Sequence, residues 1–280
     1  MLKFGVPNKG GLAGPARQLL TEAGYECSGR DRQPIVWDRG RQVQFVYLRP
    51  RDIAVYVGRG VLDLGISGRD YVAETGAPAD EILSLAFGGS AFFYAAPKAG
   101  PKSPEEFAGL TIATSFPRLV EADLRQRRVR AEVVHLDGAV EVSVDLGIAD
   151  LVADVVQSGR TLAAAGLETI GAPLLRSEAV LLAAPGVAKA RWQECLQRLQ
   201  GVVLARTYVQ LEYDIPASLL GQACRLTPGI EAPTVSPLRR ADWVAVKVLE
   251  KRRGINELMD RLVALGAKGV FVSDIRTCRI

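Results

Sequence analysis

Residues 43–70 have the sequence VQFVYLRPRDIAVYVGRGVLDLGISGRD, and this stretch decides the predicted fold class. The apolar run over residues 43–48 predicts a buried strand, and Pro50 is followed by a helical pattern that ends at Gly58. A second apolar run, over residues 62–67, predicts another strand that leads into a helix beginning at Asp70. Strands that alternate with helices in this way predict a doubly wound, largely parallel sheet.

The alternation continues on both sides of this stretch. Residues 2–6 predict a strand and residues 12–23 a helix of the same series. A second series of short strands and helices occupies residues 85–156, and residues 181–184 predict one more strand. We therefore expect an α/β fold whose N-terminal part has two lobes.

The pattern changes near residue 210. Six segments then predict strand, helix, strand, strand, helix and strand, over residues 209–215, 219–226, 232–238, 244–250, 255–265 and 270–275. This order is that of the ferredoxin-like (βαββαβ) arrangement, which needs only about 70 residues. We expect a small separate domain over residues 211–280.

Composition narrows the possible classes of protein. The 280 residues are 48% hydrophobic and 24% charged with a formal net charge of +4, which is ordinary for a folded domain. Basic residues form only short clusters without interleaved aromatic residues, so we expect no nucleic-acid partner. The first residues lack the apolar segment of a signal peptide, and no apolar run is long enough for a membrane helix. We expect a cytoplasmic protein with no membrane partner.

The most informative motif is DLVADVVQSGRTL, residues 150–162, in which a predicted strand runs through a small-residue turn into a helix. The backbone N–H groups of the turn and of the helix N-terminus can bind a phosphate, and the guanidinium group of Arg160 adds further N–H donors. Asp154, just upstream, suits the hydroxyl groups of a ribose. An ordinary strand, turn and helix capped by a hydroxyl residue explains the motif equally well, so both interpretations stay open on these residues alone.

Other nucleotide and metal motifs are missing. Residues 5–10, GVPNKG, lack the ending of a Walker A loop, and Gly58-Arg-Gly60 lacks the third glycine of a dinucleotide fingerprint. The single histidine, His135, is better explained as a strand-end residue than as part of a triad or zinc site. A nucleotide would therefore have to bind without a Walker A loop or a dinucleotide-binding glycine motif.

Six segments in order resemble the motifs of ATP phosphoribosyltransferases. They are VPNKG at 6–10, LRPRD at 48–52, DLGISGRD at 63–70, IATSFP at 112–117, GAVE at 138–141 and SGRTL at 158–162. Phe116 stands where the family usually has Tyr. LGAK at 265–268 and SDI at 273–275 resemble the long form of the family.

The resemblance implies the first reaction of histidine biosynthesis. N1 of the adenine of ATP would attack C1 of phosphoribosyl pyrophosphate (PRPP), and pyrophosphate would leave with the help of Mg²⁺, whose protein ligands stay unknown. Asp154 and Glu141 are the implied catalytic residues. The implied contacts with PRPP are Asp154, Gln157, Ser158, Gly159, Arg160 and Thr161. The implied contacts with ATP, and with AMP as an inhibitor, are Lys9, Arg49, Asp70 and Ser90.

The resemblance also implies architecture and regulation. The catalytic part would resemble two-lobe periplasmic binding proteins, with lobe I over residues 1–88 and 180–210 and lobe II over 89–179. Residues 211–280 would bind histidine as a feedback inhibitor, through Asp214, Ile230, Thr234 and Gly269. Asp214 would take the ammonium group, and Gly269 stands where Ala is common. Members of the long form assemble as dimers and hexamers, so a homo-oligomer is expected.

Three alternatives remain open. The chain could be a non-enzymatic two-lobe small-molecule-binding protein, a PRPP enzyme with another acceptor, or a regulatory paralogue without activity. Enzymes with other acceptors usually carry two adjacent acids before the loop, whereas Val155 follows Asp154. An assay with ATP, PRPP and Mg²⁺ separates all three.

Overall fold

The computed structural model describes residues 1–27, 33–156 and 159–278. Within these residues the strands form three sheets. The chain divides into two compact units, Met1–Gln18 with Glu26–Trp192, and Leu19–Tyr25 with Gln193–Ile280. Two of the sheets belong to the first unit and one belongs to the second. None of the helices in the described part combines the length and the apolarity that a membrane crossing requires.

The first sheet has six strands. In chain order they are β1 (Leu2–Pro7), β2 (Ile35–Asp38), β3 (Val43–Leu48), β4 (Leu64–Gly68), β5 (Asp80–Ser84) and β11 (Ala179–Ala183). Their order across the sheet is β2-β3-β1-β4-β11-β5. The central strands β3, β1 and β4 are parallel, whereas β2, β11 and β5 run antiparallel to their neighbours. The accompanying helices are α1 (Ala13–Glu22), α2 (Pro50–Gly58) and α3 (Arg69–Thr75).

Helix α2 packs closely on the centre of this sheet because two strand residues lack a side chain. A Cβ at Gly5 would lie 2.9 Å from the Ile53 side chain, and a Cβ at Gly65 would lie 2.4 Å from it. Ile53 and Val57 are themselves fully buried. The glycines of β1 and β4 therefore permit the close approach of α2, whose N-terminus lies next to the turn at Arg49.

The second sheet has five strands in the order β10-β6-β9-β7-β8. Their bounds are β6 (Ser90–Pro97), β7 (Thr111–Thr114), β8 (Glu132–His135), β9 (Leu151–Val156) and β10 (Leu167–Ser177). The helices of this lobe are α4 (Pro117–Arg127), α5 (Val142–Asp145) and α6 (Arg160–Ala164), with a 3₁₀ turn at Pro104–Phe107. One face of the sheet packs around Phe92, Tyr94 and Phe116, and the other packs against Val140 and Leu162.

The chain crosses between these two sheets twice, and the two crossings are hydrogen-bonded to each other. The Ala179 N–H donates to the Phe87 carbonyl at 2.9 Å, and the Leu85 N–H donates to the Ala179 carbonyl at 3.0 Å. After the second crossing β11 returns to the first sheet, where it lies between β4 and β5. The lobe built on the first sheet is thus made from two separate parts of the chain.

The second unit contains a four-stranded antiparallel sheet in the order β13-β14-β12-β15. Its strands are β12 (Tyr208–Pro216), β13 (Thr234–Pro237), β14 (Trp243–Lys251) and β15 (Lys268–Asp274), and the unit also holds α7 (Gln193–Thr207), α8 (Leu220–Leu226) and α9 (Ile255–Leu265). Short 3₁₀ turns occur at Lys189–Arg191 in the first unit and Ala217–Leu219 in the second. From β12 onward the chain has the predicted βαββαβ order.

Some elements differ from the sequence-based expectation. The first sheet is mixed rather than largely parallel, because β2 and β11 run in the direction opposite to the other four strands. The edge strand β2 exposes Ile35 and Trp37, so it lacks the pattern of a buried strand. The long strand β10 changes register between Ile170 and Leu175, which interrupts its period-two alternation.

The packing of α2 generates a stability prediction. Gly65→Ala is expected to lower the free energy of unfolding by about 1–3 kcal/mol, because the new methyl group must displace Ile53 or the strand. Thermal denaturation measures the change. Gly14→Ala is the matched control, since a Cβ there meets nothing within 4 Å and alanine favours a helix. Equal melting temperatures for the two variants would contradict the prediction.

Candidate active site

A cleft of about 500 Å³ lies in the first unit between its two lobes. Its lining includes five residues that the sequence motifs single out, namely Lys9, Arg49, Asp70, Ser90 and Asp154. These residues come from five separate segments of the chain, and the fold brings them to one cavity. Their individual roles stay predictions.

Three of these residues follow neighbouring parallel strands. Lys9 follows β1, Arg49 lies between β3 and α2, and Asp70 is in the first turn of α3 after β4. Ligands of open α/β sheets bind outside the carboxyl ends of the strands, where such loops converge. Lys9 and Arg49 are exposed, and neither side chain is hydrogen-bonded to another residue in the described part of the chain. They are two cations directed to solvent beside the cleft.

Asp70 is a buried acid of the first lobe, with 6% of its surface exposed. Its Oδ1 accepts the N–H of Tyr71 at 2.9 Å, and its own N–H donates to Ser177 Oγ at 3.0 Å. Burial raises the pKa of Asp70, while the hydrogen bonds with Tyr71 and Ser177 act in the opposite direction. Asp70 is therefore held in a defined position with a pKa above that of an ordinary aspartate.

Asp154 is the acid of the second lobe and lies on β9, paired with Phe93 of β6. Its Oδ1 accepts the N–H of Val155 at 2.7 Å. Burial raises the pKa of Asp154, the hydrogen bond from Val155 lowers it, and the negative charge of Glu141 raises it further. Glu141 is half-buried at the start of α5 and is not among the residues that line the cleft.

The predicted phosphate loop is described in part. Gln157 and Ser158 lie outside the described residues. Gly159 has φ of 70° at the start of α6, a conformation that favours glycine. Arg160 and Thr161 follow in the first turn of α6 and are exposed. Asp154 and these residues flank the carboxyl end of β9.

The candidate histidine-binding residues belong to the second unit and form two pairs. A Cβ at Gly269 would lie 3.8 Å from Asp214 Oδ2, so these two residues are neighbours across β12 and β15. Ile230 and Thr234 line a separate cavity of about 380 Å³, together with Lys247. Asp214 and Gly269 are not among the described residues that line that cavity. A single copy of the chain thus does not gather all four candidates around one cavity.

Sequence reasoning missed part of the cleft. Tyr71, Glu74 and Arg51 also line it, and the first two lie within α3. Glu74 has 3% of its surface exposed, although an acid near the end of a short helix is usually solvated. No local pattern distinguishes Glu74 from a surface acid, because its burial results from contacts with the other lobe.

Two models of known protein families match this chain. The family model described as ATP phosphoribosyltransferase matches residues 49–201, more than half of the chain, and the model of the family's C-terminal domain matches residues 205–277. The chain belongs to the ATP phosphoribosyltransferase family. It is accordingly a transferase, and the family predicted from the six sequence segments is confirmed.

Similar proteins span the whole length of this family member. It is 51% identical to the ATP phosphoribosyltransferase of Salinibacter ruber over 283 residues and 48% identical to that of Mycobacterium tuberculosis over 284, with 100% of both chains covered in each case. A chain of the ATP phosphoribosyl transferase (HisG:HisZ) complex from Thermotoga maritima has the same fold, with a TM-score of 0.63 and 24% identity over 71% of this chain and 97% of that one.

A more distant likeness extends to XAC2383 from Xanthomonas citri bound to chloride ion, with a TM-score of 0.51 and 14% identity over 73% of this chain and 84% of that one. The predicted fold class is confirmed. It is α/β, with a two-lobe, periplasmic-binding-protein-like part and a C-terminal ferredoxin-like domain.

The raised pKa of Asp154 generates a prediction about stability and pH. Between the ordinary aspartate pKa of about 3.9 and the higher folded value, the folded state binds more protons than the unfolded state. The free energy of unfolding therefore falls as pH rises through this range. An asparagine side chain cannot ionise, so the Asp154→Asn variant does not undergo this fall in the free energy of unfolding. Its melting temperature should therefore exceed that of the unmodified protein at neutral pH.

Thermal denaturation from pH 4 to pH 8 tests this prediction, with the gain expected to shrink toward the acid end. Asp145→Asn is the matched control because Asp145 is exposed in the same lobe, and it should leave the melting temperature unchanged. A stabilisation by Asp154→Asn that is the same at every pH would show that charge burial is not its cause.

Proposed function

We propose that the cleft binds ATP and PRPP and that the enzyme transfers the phosphoribosyl group of PRPP to N1 of the ATP adenine, releasing pyrophosphate. The observation that carries the proposal is the convergence of Lys9, Arg49, Asp70 and Ser90 with Asp154 on one cavity. This set combines exposed cations for phosphate oxygens with one buried and one half-buried acid for hydroxyl and amino groups. The family to which the chain belongs supports the same assignment.

The chemistry needs no nucleophilic side chain from the protein. Adenine N1 already carries a lone pair, and C1 of the ribose develops positive charge as pyrophosphate departs. Catalysis then rests on holding the two substrates in line and on stabilising charge. Asp154 would accept hydrogen bonds from the ribose hydroxyls, which favours its charged form against the effect of burial. Glu141 adds negative charge near the developing cation.

Two groups of residues would hold the phosphates. Lys9 and Arg49, with Asp70 and Ser90 nearby, would contact ATP, and AMP would compete for the same place as an inhibitor. The loop from Gln157 to Thr161 would hold the 5′-phosphate of PRPP. The positive φ of Gly159 and the start of α6 support this role, because they leave backbone N–H groups to bind an anion.

The donor set is compatible with Mg²⁺ brought in by the substrate. Among the described residues there is no cluster of three or more His, Cys, Asp or Glu side chains that could hold a metal alone. Mg²⁺ is usually bound by one or two carboxylates together with substrate phosphates. Asp154 and Glu141 are the carboxylates that would contribute here. When bound, the ion would neutralise charge on the leaving pyrophosphate.

We further propose a regulatory role for residues 211–280. In this proposal lobe II comprises residues 89–179, and lobe I comprises residues 1–88 and 180–210, of which residues 193–210 belong to the second compact unit. Histidine would bind through Asp214, Gly269, Ile230 and Thr234, which in one chain form two separate pairs. A homo-oligomer, as a dimer or hexamer, would complete the site. The sheet face opposite α8 and α9 supports such assembly, since it carries Phe271 with half of its surface exposed.

The catalytic proposal predicts that Asp154→Asn keeps the fold and loses activity. Loss of a charge-assisted hydrogen bond to ribose should cost about 1.5–3 kcal/mol in transition-state stabilisation. Steady-state kinetics with ATP, PRPP and Mg²⁺, following formation of phosphoribosyl-ATP, measures kcat/KM for PRPP. Asp145→Asn serves as the control. An unchanged kcat/KM in folded Asp154→Asn would remove Asp154 from the site, and an inactive unmodified protein would favour a binding or regulatory paralogue.

The regulatory proposal predicts that Asp214→Ala remains active while inhibition by histidine is largely lost. Removing the partner of the ligand's ammonium group should weaken histidine binding at least tenfold, corresponding to about 1.4 kcal/mol. Inhibition curves at saturating substrate provide the measurement. Asp260→Ala, which alters an exposed acid on α9 of the same unit, should stay fully sensitive. If Asp214→Ala were as sensitive as the control, the ammonium partner would lie elsewhere.

A further inference from the structure

Helix α4 of the second lobe begins without a cap of its own. Its N-cap residue is Phe116, which has no side-chain acceptor, and Pro117 occupies the first turn. The next backbone N–H groups, of Arg118 and Leu119, have no partner within the helix because they belong to its first turn. Unsatisfied donors at a helix start are normally capped by a neighbouring Ser, Thr, Asp or Asn.

Glu74 supplies the missing cap from the first lobe. Its Oε2 accepts the N–H of Leu119 at 3.0 Å, and its Oε1 accepts the N–H of Arg118 at 3.4 Å. The carboxylate lies where the dipole of α4 favours a negative charge. Arg51 Nη2, at 3.5 Å from Oε1, adds a positive partner. Glu74 is almost fully buried in this position, so its charge is satisfied by these donors rather than by solvent.

A second set of contacts holds the same two helices together. Arg118 Nη1 donates to the carbonyl of Thr75, the last residue of α3, at 3.3 Å. A Cβ at Gly76 would lie 2.2 Å from Arg118 Cζ, so the guanidinium group lies directly on the glycine that ends α3. The rings of Tyr71 and Phe116 are 5.5 Å apart between centroids. Each of these contacts joins one lobe to the other.

We propose that Glu74 is a positioning residue that latches the two lobes and sets the width of the cleft. Glu74, Tyr71 and Phe116 line the cleft themselves, so the latch lies in its wall. Asp70, on the same helix as Glu74, lines this cleft together with Asp154. This inference rests on the proposed function for its kinetic consequence, whereas the latch itself can be measured without any activity.

The latch has a kinetic signature that differs from that of a catalytic residue. Without the hydrogen bonds from Glu74 to α4, a smaller fraction of the molecules has the cleft width at which both substrates contact both lobes. The apparent affinity for each substrate is then its intrinsic affinity multiplied by the fraction of molecules in this binding-competent conformation. Two saturating substrates restore the competent state, so kcat should change little. KM for ATP and KM for PRPP, each measured with the other substrate well below saturation, should rise by a common factor.

The test compares Glu74→Gln and Glu74→Ala with Glu121→Gln, which alters an exposed acid on α4 itself. Hydrogen exchange followed by mass spectrometry, on peptides that begin upstream of Phe116, reports the protection of the Arg118 and Leu119 amides. We expect exchange there to be fastest in Glu74→Ala, intermediate in Glu74→Gln because the amide oxygen can still accept, and unchanged in Glu121→Gln. Both KM values should rise about fivefold to tenfold in Glu74→Ala, the size of effect expected for loss of a helix cap.

Three outcomes would overturn the proposal. They are unchanged exchange at Arg118 and Leu119, a rise in only one KM, and a fall in kcat at constant KM. If Glu74→Ala does not fold, Arg118→Ala provides the second variant, since it removes the contact with Thr75 from an exposed position, and both KM values should again rise together. If the unmodified protein shows no transferase activity, the proposed function fails, and hydrogen exchange alone decides whether the latch exists.

Discussion

The paired crossings between the two lobes are the constraint on which the rest of the first unit depends. Leu85 and Phe87 on the outward crossing are hydrogen-bonded to Ala179 on the returning one. These bonds bring β11 back into the first sheet beside β4, whose next residues begin α3. Arg69 is tied to the same place, since its N–H donates to the Glu178 carbonyl and its guanidinium bridges Glu178 and Glu81. The first residue of α3 is therefore hydrogen-bonded to the returning crossing.

The position of α3 in turn decides what the cleft contains. Its first turn carries Asp70, whose N–H is bonded to Ser177 at the end of β10. Its last turn carries Glu74, which caps α4 in the opposite lobe. One short helix thus supplies an acid to the cleft and a contact that holds the cleft walls. This arrangement links the geometry of the site to the packing of the lobes, because Asp70 and Glu74 lie on the same short helix.

Two acids of the cleft lower the stability of the folded protein when they are ionised. Asp70 and Asp154 are acids whose burial raises their pKa, so their ionisation lowers the free energy of unfolding as the pH rises above the ordinary aspartate pKa. Binding sites often retain such unfavourable groups because ligands supply the missing partners. The exposed cations Lys9 and Arg49 complement them, since they lie beside the same cavity and are available to anionic groups.

Local patterns were sufficient to determine the α/β class, the βαββαβ domain, the family and five of the residues that line the cleft. Each of those depends on periodicity, on residue types at turns or on short motifs that lie along the chain. The antiparallel strands β2, β5 and β10 were not predictable, because edge exposure and the irregular register at Ile170 remove the alternation that marks a strand. Only the tertiary structure showed that Glu74 caps a helix. Its carboxylate accepts hydrogen bonds from the backbone N–H groups of Arg118 and Leu119, which are more than forty residues away in the sequence. A carboxylate capping a distant helix leaves no trace in its own stretch of sequence, because the backbone N–H groups that it caps belong to the other lobe.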